Sequence, residues 1–593
     1  MKNSDWRNTN VKGGFWKFYD SLNRKSVIKN VYDRFFETGR FDALKCKWRS
    51  GMPNKPHIFW DSDVAKWIEA AAYVLEGEEN PELEATVDGL VEDIAKNQCA
   101  DGYYNSYFIS LEPSERFTRR KDHELYCLGH FIEAAVAYAK SRGKTELLSV
   151  VEKYVDLVYR VFVVEDSAAF VTPGHEEIEL ALIALYEYTG NKKHLELAKF
   201  FIDKRGNNDK DTNEEYDQSN LPLRELTEAV GHSVRACYLY TAMANLAKVT
   251  GDTALADACR RLFTDITTHK MSITGGIGAE RVGEQFSYLY DLPNSETYNE
   301  TCAAISLAMF AGAMQELEAN SKYADTVERI IYNGFISGLS LDGEKFFYTN
   351  PLEIDRKKSA RSAYRPIFER VKVFDCSCCP PNVARMLSTI QRYTYTLDGD
   401  TIYCNQFMAS ETKLTVGGKE ATLTQITDYP CSGKVTFKYQ GEPTTLYVRI
   451  PDWCVEYDGE KENGFARFSL TDGASVEIEL PMNIHFIESN PYVQDNAGRY
   501  AVQRGPIVYC LEELDNGENL RDITLIENGA IRVEKEDEIP APVIYITAER
   551  RPKTNSLYSL KDESRESFTA RLIPYFSFAN REASDMLVWA MIR

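Results

Sequence analysis

No run of this 593-residue sequence approaches the roughly 20 consecutive apolar residues that a membrane-crossing helix needs. The opening residues, Met1-Lys2-Asn3-Ser4-Asp5-Trp6, also lack the apolar stretch of a secretory leader. A cytoplasmic protein without a membrane partner is expected. Positive charge is scarce: 69 Lys and Arg against 90 Asp and Glu leave a net charge of −21. Such a surface repels nucleic acid over much of its area, and no basic patch stands out, so no nucleic-acid partner is expected. The 13 cysteines, an odd number spread along the chain, are too sparse for a disulfide scaffold. Most read as small apolar core residues. Apolar material is plentiful at 44%, enough for large cores, and the length implies two or three domains.

From about Trp60 to about Tyr395 the chain reads as successive helices. Three segments share a head and a tail: Gly129-His130 to Gly143, Gly174-His175 to Gly190, and Gly231-His232 to Gly251. Each carries apolar residues at three- and four-residue spacing and ends on a glycine suited to a left-handed cap. More polar helical stretches follow at 192–201 and 253–267, and Gly283-Glu284 reads as a further head. A repeat of roughly 50 residues, one helical hairpin per unit, predicts about six hairpins and hence an (α/α)6 toroid. In such a ring the starts of the inner helices meet around one mouth. After Tyr395 come short β-branched and aromatic runs at 401–408, 413–416, 434–439, 445–450, 466–470 and 476–480, separated by Gly, Pro, Asp and Asn. A second β-rich set begins near Arg499. The expected fold is mainly α with β: a toroid over residues 1–395 followed by two antiparallel β-sandwich domains, 396–500 and 501–593.

Three places carry chemistry. Cys376-Ser377-Cys378-Cys379-Pro380-Pro381-Asn382 packs three thiols before two prolines, with Asn382 as the expected N-cap of a helix whose positive end favours thiolate. Adjacent cysteines seldom bond each other, because that ring strains the peptide between them. Glu300 and Cys302 stand two apart in Tyr298-Asn299-Glu300-Thr301-Cys302, a spacing that lets both reach one ion. One carboxylate and three sulfurs would suit a four-coordinate Zn²⁺, although spacing alone equally permits a core cysteine at 302. The glycines of Thr274-Gly275-Gly276-Ile277-Gly278 mark a shaped loop that runs on to Glu284, which by itself could be a solvated carboxylate.

The stretch TGGIGAERVGEQFSYLYDLPNSETYNETCAA, with CSCCPPN, HELYCLGH, PGHEEIELAL, AVGHSVRA, ERIIYNG and FFYTNPLE in order, resembles the β-L-arabinofuranosidases of glycoside hydrolase family 127. The resemblance spans most of the helical region. It implies an (α/α)6 barrel with β-sandwich domains and a retaining release of L-arabinofuranose from β-L-arabinofuranosides. It further implies Cys378 as nucleophile, Glu284 as general acid/base, and zinc held by Glu300, Cys302, Cys378 and Cys379. His123, His175, His232, Glu328 and Tyr348 would then bind the sugar, with His130 left to packing. The partner is a small oligosaccharide or glycoside, and a homodimer is the commonest assembly to expect. The alternatives are a hydrolase of another furanose or deoxy sugar, a different glycan enzyme on the same toroid, and a carbohydrate-binding protein with structural zinc.

Overall fold

The computed structural model describes residues 1–359, 368–552, 556–558, 560 and 564–593. Six helices form a closed inner ring: Trp60–Gly77, Glu124–Arg142, Ile178–Thr189, Ser233–Thr250, Thr301–Leu317 and Cys379–Ser388. Each packs on the next, and the last returns to the first. Their composition explains the position. Thr301–Leu317 is rich in Ala and apolar residues on every side and is buried almost throughout, so it has no face to give to water. Close approach is built in: a Cβ on Gly129 would stand 2.9 Å from the Ile178 Cα of the neighbouring inner helix. Pro81–Asn97, Glu146–Tyr159, Lys192–Lys204, Thr253–Asp265 and Ser321–Arg329 each bury one side only and form the outer layer.

The expected glycine stops are present, with Gly143, Gly190 and Gly251 in left-handed conformation at the ends of three inner helices. The sixth outer helix comes from the chain's start: Ile28–Glu37 packs on Cys379–Ser388 and closes the ring. Two helix heads sit differently from their sequence reading. Gly129-His130 lies inside the helix Glu124–Arg142, whose N-cap is His123, and Gly283-Glu284 is a loop turn, the next inner helix starting only at Thr301.

Two β-rich domains follow. The first has two five-stranded sheets, and the chain's own N-terminal strands, Lys2–Asn3 and Thr9–Val11, complete one edge of each. Strand Lys419–Thr427, unread in the sequence, lies inside the second of these sheets. The last domain is one continuous ten-stranded sheet, and it begins before residue 500. Ile484–Glu488 pairs residue by residue with Tyr500–Arg504, so the boundary falls between Glu479 and Ile484. Most pairings are antiparallel; Thr401–Cys404 with Thr444–Arg449 and Ile523–Leu525 with Met591–Ile592 are parallel.

Glu328 joins barrel to sandwich and does not line the sugar cavity. Its carboxylate accepts from Arg449, from the Tyr429 hydroxyl at 2.6 Å and from the Trp453 indole at 3.0 Å, while Arg449 also reaches Asp325 at 2.7 Å. Both Glu328 and Arg449 are buried. The carboxylate is consumed by this junction, which is why it cannot serve a substrate. Truncation would leave a buried guanidinium short of its partner, a loss of roughly 3–5 kcal/mol. Glu328→Ala should therefore lower the thermal midpoint by several degrees while leaving KM for the sugar within twofold. A large rise in KM with an unaltered midpoint would return Glu328 to the substrate.

Candidate active site

The starts of the inner helices converge on a cavity of about 230 Å³. His232, Glu300 and Cys378 occupy the N-cap positions of Ser233–Thr250, Thr301–Leu317 and Cys379–Ser388, and His123 that of Glu124–Arg142. The cavity is lined by His123, His175, His232, Glu284, Glu300, Cys302, Tyr348 and Cys378, so these expected residues share one space. It also holds Cys376 of the thiol motif, and Phe59, Asp63, Tyr126, Tyr216, Arg235 and Tyr238, to which the sequence reading gave no role. Asp63 could have been found. It sits in the first turn of an inner helix, where an acidic residue among apolar neighbours marks the mouth. Its carboxylate is held by Arg40 at 2.9 Å.

The sulfur cluster gathers at the N-termini of two inner helices, where the peptide dipoles favour negative charge. The second helix starts at Cys379, so Pro380 and Pro381 fall in its first turn, where missing N–H groups leave no helical bond unmade. Asn382 is therefore inside the helix, not its cap, and its side chain accepts from Arg385 at 2.6 Å. Cys378 Sγ lies 3.4 Å from Glu300 Oε1 and 3.8 Å from Cys379 Sγ. Cys379 Sγ is 3.7 Å from Glu300 Oε1 and 3.3 Å from Cys302 Sγ. Around a tetrahedral ion with bonds of about 2.3 Å to sulfur and about 2.1 Å to oxygen, ligand atoms stand roughly 3.6–3.8 Å apart. The four donors thus have the spacing of a metal-ligand set. Burial and the neighbouring thiols push the Glu300 carboxyl and the Cys379 thiol well above their usual ranges, and Glu300 Oε2 is buried without a partner among the described residues. Such a set fits a cation held among its four donors.

Glu284 faces this cluster from the glycine-rich loop. Its carboxylate, that of Glu300 and a His232 nitrogen lie within 4.8 Å of one another. The loop is pinned to the helix start: Ser233 N–H donates to the Glu284 carbonyl at 3.0 Å, and a Cβ on Gly278 would stand 2.4 Å from Ser233 Oγ. Glu284 itself sits at φ +54, a left-handed backbone that a glutamate rarely adopts and that aims its side chain into the cavity. Burial opposes its ionisation, but His232, Tyr298 and Arg235 together hold its carboxyl below the usual range.

The three histidines are kept neutral. Burial and Arg235 hold His123 down to about 3, and burial with Arg235 and the other two imidazoles holds His175 well below the usual range. His232 is lowered by burial despite Glu284. Their hydrogen bonds fix the tautomers. His232 Nδ1 accepts from Val234 N–H at 3.2 Å, so its proton is on Nε2, 3.1 Å from Glu284 Oε2. His175 Nδ1 stands 3.0 Å from the Glu176 carbonyl and must carry the proton, leaving Nε2 an acceptor for a hydroxyl. Tyr348 is placed against the nucleophile candidate, its hydroxyl 3.2 Å from Cys378 Sγ. A small closed space with neutral imidazoles, a carboxylate and a half-buried thiol suits one uncharged sugar ring.

Comparison with known proteins agrees with this geometry. Family models for the β-L-arabinofuranosidase GH127 catalytic domain, the GH127 middle domain and the GH127 C-terminal domain match residues 8–392, 401–482 and 484–591. A non-reducing end β-L-arabinofuranosidase of Bifidobacterium longum subsp. longum is 36% identical over 589 residues, covering 90% of this chain and 89% of that protein. The crystal structure of a GH127 β-L-arabinofuranosidase from Geobacillus stearothermophilus T6 superposes with a TM-score of 0.94 at 38% identity, covering 99% of this chain and 100% of that one. A second GH127 β-arabinofuranosidase superposes at 0.91 with 32% identity, covering 100% of this chain and 98% of that one.

The donor set makes metal content a direct test. Elemental analysis of protein purified without added metal should find about one equivalent of a divalent ion, and Cys302→Ser should reduce its affinity at least tenfold. A fully folded, fully active protein with no bound metal would contradict the reading of this cluster.

Proposed function

Since this chain belongs to glycoside hydrolase family 127, we propose that it is a retaining exo-glycosidase that releases L-arabinofuranose from β-L-arabinofuranosides, with Cys378 as nucleophile. The observation that carries this reading is the position of Cys378. Its sulfur belongs to the four-donor cluster and is the half-buried thiol of the set on the cavity wall, whereas Cys302, although it borders the cavity, is buried, and Cys379 is buried away from it. A purely structural metal site would have no reason to expose one ligand to a sugar-sized space.

Three thiols with one carboxylate match the borderline softness of zinc, and a zinc ion there would keep the Cys378 sulfur ionised near neutral pH. The chain's own residues then account for two displacements. In the first, a Cys378 sulfur lone pair bonds to the anomeric carbon as the bond to the leaving oxygen breaks. A proton that the Glu284 carboxyl has taken up from solvent passes to that oxygen, while His232 stays neutral and keeps its Nε2 proton. In the second, the Glu284 carboxylate takes a proton from water, whose oxygen bonds to the anomeric carbon as the sulfur departs. The Tyr348 hydroxyl accepts from the Cys378 thiol at 3.2 Å, and once the sulfur is ionised it can turn its proton to it and steady it between steps. His123 and His175, neutral and convergent, hold the sugar hydroxyls. The 13 cysteines are free, which supports work in a reducing compartment, the cytoplasm.

Two variants separate the steps. Cys378→Ser should lose at least 10³-fold in kcat with every substrate, since the covalent intermediate cannot form. Glu284→Ala should lose on the order of 10²–10³-fold with a methyl glycoside but far less with an activated aryl leaving group, which needs little protonation. Equal losses with both leaving groups would remove Glu284 from the acid role.

A further inference from the structure

A divalent ion bound by one carboxylate and three thiolates sets two positive charges against four negative ones. The surplus negative charge is costly away from water unless a cation lies close by. Most buried cations around the cavity are already engaged. Arg40 is bonded to Asp63, and Arg385 lies between Glu69 and Glu133. Arg235 donates to the Gly174 carbonyl, and its charge bears on His123, His175 and Glu284.

Lys66 differs from these. It stands roughly two turns into the inner helix Trp60–Gly77 and is completely buried. A lysine is almost never enclosed without a partner of opposite charge. Yet among the described residues its ammonium has one hydrogen bond, to the Tyr126 hydroxyl at 2.7 Å, and no paired carboxylate. The acids deeper in the ring do not claim it: Glu69 and Glu133 share Arg385, and burial pushes the Glu69 and Glu177 carboxyls up, toward their neutral forms.

Tyr126 ties this ammonium to the site. Its ring centroid is 4.8 Å from Lys66 Nζ, and the residue lines the cavity together with Cys302 and Cys378. Burial pushes the Tyr126 phenol well above its usual range, so the hydroxyl accepts from Lys66 and keeps its own proton. The field of the cation reaches the sulfur side. Burial and Glu300 oppose ionisation of the Cys302 thiol, whereas Cys378, Cys379 and Lys66 favour it and bring it to about 6. Lys66 thus faces the thiols as Arg235 faces the histidines.

We propose that Lys66 is the counter-charge of the sulfur cluster: its buried ammonium offsets the negative charge left over on Glu300, Cys302, Cys378 and Cys379 once an ion is bound, and so sets how tightly the ion is held. Lys66 is a positioning residue in this role, acting on the metal ligands and touching no reacting atom. The inference rests on the reading of the four donors as a metal site.

Lys66→Met keeps the bulk of the side chain and removes its charge, whereas Lys66→Arg keeps the charge. Each variant is loaded with Zn²⁺ and titrated with a competing chelator, beside the parent and Arg235→Met. Lys66→Met should bind Zn²⁺ roughly 10–100-fold more weakly than the parent, and the other two variants within about threefold of it. A spectrum of the Co²⁺-loaded proteins gives a second readout. Loss of a nearby cation raises the energy of the sulfur electrons, so the sulfur-to-cobalt charge-transfer band should move to longer wavelength in Lys66→Met and stay in place in Lys66→Arg. A side chain that only packs would not move that band. If Lys66→Met does not fold, Lys66→Gln, neutral and able to donate to Tyr126, takes its place with the same expected outcomes. Parent affinity and an unmoved band in the neutral variant would overturn the proposal. Equal losses in the neutral variant and Lys66→Arg, or in the neutral variant and Arg235→Met, would overturn it as well. A parent protein that binds no divalent ion would overturn the reading of the cluster itself.

Discussion

One carboxyl and three thiols are packed within a few ångströms of one another, largely shielded from water. Glu300, Cys302, Cys378 and Cys379 could not be buried together as bare anions, and the fold meets this constraint in two ways. It places them at the positive ends of two inner helices, and it spaces them as ligands of one cation. Much of the barrel serves that arrangement. Thr301–Leu317 and Cys379–Ser388 must begin at the same level, which requires the ring to close; it closes where Cys379–Ser388 packs on Trp60–Gly77, and Ile28–Glu37 backs that seam.

Around the cluster, charge is removed rather than added. Three histidines are held neutral by burial and by Arg235, so they offer directed donors and acceptors to an uncharged sugar. Glu284, facing the cluster, is tied to His232, which with Tyr298 and Arg235 holds its carboxyl below the usual range. Left-handed backbones aim two of the cavity's side chains, those of His123 and Glu284. Deeper in the ring, Arg385 ties Glu69 to Glu133 at 2.9 and 2.6 Å and keeps the helices in register below the cavity.

The helical ring was legible because its signals are local: glycine stops, three- and four-residue spacing, and polar heads that recur. The cysteine cluster was legible because adjacent thiols before two prolines have few other uses. What escaped depends on contacts between distant residues. Ile28–Glu37 belongs to the ring only through a helix near residue 380, and Glu328 is claimed by Arg449, 121 residues further on. Tyr216 lies in the three-residue helical turn Glu215–Asp217, too short for periodicity to mark its side chain. Lys419–Thr427 was missed because an inward position is polar, Gln425, and an outward one is apolar, Ile426, which blurs the alternation. The boundary near residue 484 is set by strand pairing, and a β-rich run on either side of it reads the same.

The central claim is that the Cys378 sulfur bonds to the anomeric carbon. Two displacements at that carbon return the original configuration, whereas direct attack by water inverts it once. Proton NMR of the first-formed sugar, recorded before mutarotation, distinguishes the two. The account predicts β-L-arabinofuranose from a β-L-arabinofuranoside; an initial α product would contradict the thiolate nucleophile.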